Sequence, residues 1–108
     1  MIAERFDVRS VTAAGTLDFL QGRPTWFDSG FRFQLDGTGN YEGTVLATLF
    51  DSGSAGYFVD VTSSLFGAAT FTQAKKGLYS LGVLYNAVRF NITSVQSTKN
   101  VLISGAWM

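Results

Sequence analysis

Histidine and cysteine are both absent from this 108-residue sequence. Without them, neither a Ser-His-Asp nor a Cys-His catalytic constellation can form, and the usual ligands of a zinc site are missing. The usual general base near neutral pH is missing as well. No disulfide can be built, so the fold must depend on packing alone or on packing together with oligomerisation.

Carboxylates are the remaining groups that could catalyse or bind metal. Two acids can flank a sugar bond in glycosidases, but the eight acids here lie beside glycine turns or at outward strand positions, which favours solvated side chains. Asp36, Thr38 and Asn40 alternate like the first half of a calcium loop, yet Glu42 comes too early to complete it. A hairpin turn over residues 36–40 is the better interpretation. We therefore predict no enzymatic activity, no metal and no cofactor.

Charge is scarce, at 15% of residues, and the net charge is zero. This excludes the basic footprint of a nucleic-acid-binding protein. Residues 1–60 carry four basic and eight acidic side chains, a net charge of −4, and the remainder carries four basic side chains and no acid. Either unlike surfaces meet when copies assemble side by side, or strands from both halves interleave in one sheet and the asymmetry disappears in space.

Long apolar runs are also lacking. No stretch approaches the ~18 consecutive apolar residues of a membrane span. Glu4, Arg5 and Asp7 stand where a signal peptide would need an apolar run. We expect a chain that is made in a cytoplasm, has no membrane partner, and stays soluble or joins an assembly.

What the sequence does contain is core material, with 46% hydrophobic residues and ten Phe among its aromatics. Alternation of period two dominates, and helical periodicity is nearly absent. Clear examples are the segments 31–36, 57–61 and 88–93, and a weaker one places Phe6 and Val8 together on one face. These patterns predict strands that bury one face and expose the other.

Two segments depart from this simple alternation. Residues 44–50 are apolar on both faces, which predicts a central strand or one that a partner covers, and residues 63–73 could contain one helical turn. Glycine-containing turn signals separate the strands at short intervals, and Pro24 lies in a loop. Strands at such spacing without intervening helices predict an all-β, antiparallel β-sandwich, jelly-roll-like, with about eight strands in one domain over residues 1–108.

Four aromatic residues lie in or beside predicted turns: Trp26, Phe27, Tyr41 and Tyr57. Exposed aromatic rings stack on sugars or anchor protein interfaces. We therefore predict these four as partner-binding residues, with Trp26 foremost. The alternative is that the rings fill the open ends of the sandwich.

The C-terminal third resembles a recurrent pattern in small virion proteins of tailed bacteriophages. The residues that carry this resemblance are Lys76-Gly77-Leu78-Tyr79-Ser80-Leu81, the strand from Tyr85 through Arg89 to Val95, and Val101-Leu102-Ile103-Ser104-Gly105. In such proteins a glycine-aromatic strand leads to a Tyr/Asn turn, an Arg-bearing strand ends in Thr-Ser, and a final strand pairs with it. Similar strands occur in carbohydrate-binding jelly rolls.

The resemblance implies a capsid decoration (cement) protein. Its expected partners are the major capsid protein or another virion protein, its expected location is the virion, and its expected state is a homo-oligomer such as a dimer or trimer. Low charge and the doubly apolar segment 44–50 agree with a surface that another subunit covers. A carbohydrate-binding or tail-adsorption module is the alternative function.

Overall fold

The structure is a computed structural model that describes residues 5–20, 30–48, 58–81 and 87–107. These ranges contain nine strands, one α-helix and one short 3₁₀ helix. In chain order the elements are β1 (Arg5–Val11), β2 (Gly15–Leu20), β3 (Phe31–Gly37), β4 (Tyr41–Thr48), β5 (Val59–Asp60), α1 (Thr62–Phe66), β6 (Phe71–Thr72), the 3₁₀ helix (Gln73–Lys75), β7 (Gly77–Leu81), β8 (Ala87–Val95) and β9 (Val101–Trp107).

The strands form two antiparallel sheets. The front sheet has the order β1-β9-β3-β7, and the rear sheet has the order β2-β8-β4-β5, with β6 also paired to β4. Four strand pairs nest inside one another along the chain and alternate between the sheets. From the outermost to the innermost they are β1·β9, β2·β8, β3·β7 and β4·β5. A long two-stranded ribbon wrapped in this way is a jelly roll. The predicted all-β antiparallel sandwich is therefore confirmed.

The core lies between the sheets and is mainly aromatic. Phe31 and Phe33 of β3 face Phe90 of β8, with ring centroids of Phe33 and Phe90 5.0 Å apart in an edge-to-face arrangement. Trp107 of β9 packs on Phe31 at 4.8 Å. Gly105 leaves room for these rings, because a Cβ there would lie 2.5 Å from Phe31 Cζ. The predicted alternation of segments 31–36 and 88–93 is confirmed by this arrangement.

Two open sides of the sandwich are closed differently. Beside β7, Phe66 at the end of α1 packs on Tyr79, with ring centroids 4.5 Å apart. Beside β1 and β2, the guanidinium of Arg9 lies 5.5 Å from the ring centroid of Phe19. The long Arg side chain covers the aromatic edge of the core and keeps its charge near water.

The helical turn expected within residues 63–73 is present as α1, beginning one residue earlier at Thr62. Its first residue continues the rear sheet, because the Thr62 hydroxyl accepts a hydrogen bond from Val45 N at 2.8 Å. Asp60 accepts a hydrogen bond from Thr62 N at 2.9 Å. The strand predicted over 57–61 is correspondingly short, and Val59 is exposed at the sheet edge.

Segment 44–50 was predicted to form a central strand or one covered by a partner. Its described part lies in β4, between β8 on one side and β5 and β6 on the other. The described part is therefore a central strand, as the first alternative predicted. Residues 49 and 50 lie outside the described part of the chain.

Two predictions about neighbouring strands are wrong. Residues 36–40 do not form a hairpin, since β3 and β4 lie in different sheets, and β9 does not pair with the Arg-bearing strand β8. Both connections cross between the sheets at the same end. They bond to each other there: Thr38 N donates to Asn100 O at 2.8 Å, and Asn40 N donates to Gln96 Oε1 at 2.9 Å.

The predicted face of β1 is also wrong at Val8. Val8 is paired with Ser104 and points outward with half of its surface exposed, whereas Arg9 is paired with the buried Ile103. A strand at the edge of a sheet can turn a long charged side chain inward because its stem packs while its head reaches water. Period-two alternation indicates two faces but does not say which one is buried.

The uneven distribution of charge along the chain disappears in the fold. Each sheet contains strands from both halves of the sequence, so acids of the first half meet bases of the second. Asp18 of β2, for example, binds Arg89 of β8. Interleaving is therefore the correct alternative for the charge pattern.

The close approach at Gly105 gives a stability prediction. We expect Gly105→Ala to lower the free energy of unfolding by about 1–3 kcal/mol, because the added methyl overpacks the rings of Phe31 and Phe19. Gly15→Ala is the matched control, since a Cβ at Gly15 meets nothing within 4 Å. Denaturant unfolding of the two variants measures the difference. Equal stability of the two variants would contradict the packing described for β9.

Candidate functional site

The outward side chains of the front sheet form a surface that we call the front face. Alternation along β1, β9, β3 and β7 turns every second residue to solvent. Register brings four of them into one central row across the sheet, from Val8 through Ser104 and Gln34 to Leu78. The front face comprises Val8, Ser10, Arg32, Gln34, Asp36, Leu78, Ser80, Leu102, Ser104 and Ala106.

Large apolar side chains are exposed at both margins of the front face. Leu78 on the edge strand β7 is 80% exposed, and Val8 on the edge strand β1 is 51% exposed. Within the described ranges, the other exposed large hydrophobic residue is Val59, at the edge of the rear sheet. The two side chains stand at opposite edges of the sheet with Ser104 and Gln34 between them, so the front face carries two separate exposed apolar groups.

A shallow depression of about 430 Å³ lies on the β7 side of the front face. Ser80, Ser104 and Ala106 supply its short side chains, and Arg32 and Gln34 supply its hydrogen-bond donors. The short residues leave the flanks of the Arg32 side chain open. The remaining lining residues are Phe33, Leu78 and Tyr79.

The front face carries two charged side chains, Arg32 and Asp36. Among the residues that the structure describes, Arg32 forms no ion pair. Asp36 accepts a hydrogen bond from Gly37 N at 2.8 Å and lies 3.6 Å from Nζ of Lys76. Both carboxylate and ammonium groups are about half exposed, so this pair contributes little to stability. The front face therefore offers a cation and an anion to a partner.

The rear sheet differs because the arginine on its outer side, Arg89, is paired internally. Arg89 donates two hydrogen bonds to the Asp18 carboxylate, at 2.7 and 3.0 Å, and these bonds raise the pKa of Arg89. Its guanidinium also lies 4.2 Å from the ring centroid of Phe58. Leu46 and Asp60 complete the same row. A side chain held by a bidentate partner and a ring is less available to a ligand than Arg32.

The four predicted partner-binding residues are not brought together by the described fold. Trp26, Phe27 and Tyr57 lie outside the described residues. Tyr41 is only 3% exposed, and its ring packs at 6.4 Å from that of Phe71. Its ring fills the interior, as the alternative interpretation proposed, and is not presented to a partner.

The hydroxyl group of Tyr41 is unusual for a buried polar group. It has no hydrogen-bond partner among the described residues, as is also true of Trp107 Nε1. Burial raises the pKa of Tyr41 to about 12, and the nearby Asp36 carboxylate adds to this effect. The ring contributes apolar area to the core, whereas the hydroxyl adds little stability.

Sequence reasoning missed the three residues that distinguish the front face: Val8, Arg32 and Leu78. Leu78 alternates with Tyr79, and either could have been the inward one. The larger aromatic ring takes the inward position because it stacks on Phe33 at 5.4 Å. Arg32 alternates with phenylalanines that are clearly inward, so its exposure was predictable but its lack of an acidic neighbour was not.

No family model, curated protein or solved structure matches this chain. In the described part of the chain, no group of three acidic residues is arranged to hold a metal ion. The single α-helix in those ranges is too short to cross a membrane.

The buried hydroxyl of Tyr41 gives a prediction about stability and pH. We expect Tyr41→Phe to leave the free energy of unfolding unchanged or to raise it by about 1 kcal/mol, because a buried unpaired hydroxyl is removed. In the wild type, the unfolded chain ionises Tyr41 near pH 10, whereas the folded chain keeps the proton to about pH 12. The contribution of Tyr41 to the free energy of unfolding is therefore fully present below about pH 10. It is lost as the pH rises from about 10 to about 12.

Denaturant unfolding at a series of alkaline pH values measures both effects. Tyr79→Phe is the control, because its hydroxyl donates to Lys75 O at 2.6 Å and its loss should cost about 1 kcal/mol at neutral pH. The alkaline loss should be smaller in the Tyr41 variant than in the wild type. An identical alkaline loss would contradict the burial of Tyr41.

Proposed function

We propose that the chain is a structural protein of a tailed-phage virion, and specifically a capsid decoration protein that binds the major capsid protein as a homo-oligomer. The observation that carries the proposal is the front face, where Leu78 and Val8 are exposed on a sheet with few charges. Such a surface gains free energy when a neighbouring subunit covers it. The jelly-roll order adds a general argument by analogy, because many viral capsid domains use this fold.

A decoration protein needs many weak contacts rather than one strong one. Each copy covers a small part of the shell, and repetition across the lattice converts modest affinity into stable attachment. The front face suits this role because its central side chains are short, so another flat surface can approach closely. The absence of histidine and cysteine agrees with binding rather than catalysis.

The first test is the protein composition of virions purified from the phage that encodes the chain. We expect mass spectrometry to detect the chain in stoichiometric proportion to the major capsid protein. Its absence from virions would overturn the proposal, because a decoration protein remains on the particle.

A second test concerns the front face itself. We expect Leu78→Glu to weaken binding to capsids that lack the chain by at least tenfold, because a charge on the front face separates the copies of the homo-oligomer and removes their multivalent attachment. Val59→Glu is the matched control, since Val59 is also an exposed hydrophobic residue but lies on the rear sheet. Co-sedimentation with capsids measures both. An equal effect of the two substitutions would show that the front face does not contribute to attachment.

A carbohydrate-binding module is the second candidate function. It is favoured by the depression beside Arg32. The serine hydroxyls, the Gln34 amide and the Arg32 guanidinium that line this depression could form hydrogen bonds with sugar hydroxyls. A glycan array in which the wild type binds and Arg32→Ala does not would support this candidate. The stacking residues predicted for it, Trp26, Phe27 and Tyr57, lie outside the described residues.

A further inference from the structure

The front face carries one positive and one negative side chain on the same strand. Arg32 and Asp36 both point outward from β3, with Gln34 halfway between them. At a rise of about 3.3 Å per residue, their Cα atoms lie about 13 Å apart. The two ends of β3, which is one of the two central strands of the front face, therefore carry opposite charges.

We propose that the front face binds a second copy of the chain, face to face, about a two-fold axis that crosses β3 at Gln34. The axis lies in the plane of the interface and at right angles to the strand. This inference rests on the proposed function and names the subunit that covers the front face, the second copy of the homo-oligomer, so the capsid is contacted by other surfaces of the pair. Two-fold pairing of identical surfaces is the commonest arrangement of homo-oligomers.

Charge selects this axis over the other possible one. An axis across the strand places Arg32 of each copy opposite Asp36 of the other, which gives two ion pairs. An axis along the strands, through the middle of the face between β9 and β3, would place Arg32 opposite Ala106 and Asp36 opposite Leu102, with no ion pair. Sheets that pack face to face lie about 10 Å apart, a gap that an extended arginine and an aspartate can span together.

The existing partner of Asp36 does not prevent this pairing. Its contact with Lys76 is 3.6 Å long and half exposed, which makes it weak. The planar guanidinium of Arg32 can form two parallel hydrogen bonds with a carboxylate, which an ammonium group cannot. Pairing between copies would also give Arg32 the acidic partner that it lacks among the described residues.

The apolar margins of the front face agree with the same axis. Because the axis runs across the strands, each strand lies over the same strand of the other copy. Leu78 then meets Leu78 at one margin, and Val8 meets Val8 at the other. Both side chains are exposed in the single chain and would be covered in the pair. The short residues Ser104 and Ala106 between them allow the two sheets to approach.

The size of the front face sets the expected strength of pairing. Four strands spaced by about 4.8 Å, with seven residues rising about 3.4 Å each, give roughly 450 Å². A standard interface buries about 800 Å² on each partner. The dimer should therefore be of modest affinity, form with increasing concentration, and weaken as salt screens the ion pairs.

The test uses charge reversal in two separate variants of the full chain. Sedimentation equilibrium over a concentration series reaching about 1 mM measures the mass of each species. We expect the wild type to approach twice the 11.7 kDa mass of the chain. Arg32→Asp and Asp36→Arg should each weaken pairing at least tenfold, because each makes the face uniform in charge. An equimolar mixture of the two variants should pair again. The acidic face of one variant then lies against the basic face of the other, and both ion pairs form.

Lys99→Asp is the matched control, since it makes the same change of charge on an exposed residue outside the front face. It should leave pairing unchanged. A wild type that stays monomeric throughout the series, or a mixture that does not recover pairing, would overturn the inference. A monomer that is present in virions would overturn the dimer and the homo-oligomeric state but not the role in the virion, whereas a dimer that is absent from virions would overturn the role in the virion and leave the dimer standing.

Discussion

The contact between the two sheets is made by aromatic rings, and the rest of the structure depends on it. Phe31 and Phe33 enter the interior from the front sheet and meet Phe90 from the rear sheet. Trp107 closes on the same cluster from β9. Rings of this size fill the space between sheets only if a small residue lies beneath them, and Gly105 provides it. A chain without disulfides thus gains its stability from the burial of aromatic area.

This core also decides what the two outer surfaces can do. Because alternate residues of each strand enter the interior, the remaining residues are distributed to one face or the other with no further freedom. On the rear sheet, Asp18 and Arg89 fall opposite each other and form a bidentate pair. On the front sheet, Arg32 falls between Ser80 and Ala106 and gains no such partner. The arginine of the rear face is consequently paired within the chain, and the arginine of the front face is open to a partner.

Several features of the fold were accessible from local patterns. The alternation of Phe31, Phe33 and Leu35 identified β3 and its inward side, and glycine-rich segments marked most of the turns. The side of β1 was not accessible, because an edge strand tolerates Arg9 on the inner side and Val8 on the outer side. Tyr41 was assigned to the surface from its place beside a turn, but the turn crosses between sheets and carries the ring inward.

By itself, the sequence determined the class of the fold and the chemistry that is excluded. Period-two alternation and frequent turns are local properties, so they specify strands wherever the chain runs, and the lack of histidine and cysteine removes whole classes of site. The tertiary structure alone decided which strands are neighbours and therefore which side chains share a surface. Val8 and Leu78 are 70 positions apart in the sequence. They lie in one row across the sheet only because β9 and β3 connect their strands. Strand pairing depends on long-range burial, and no local pattern records it.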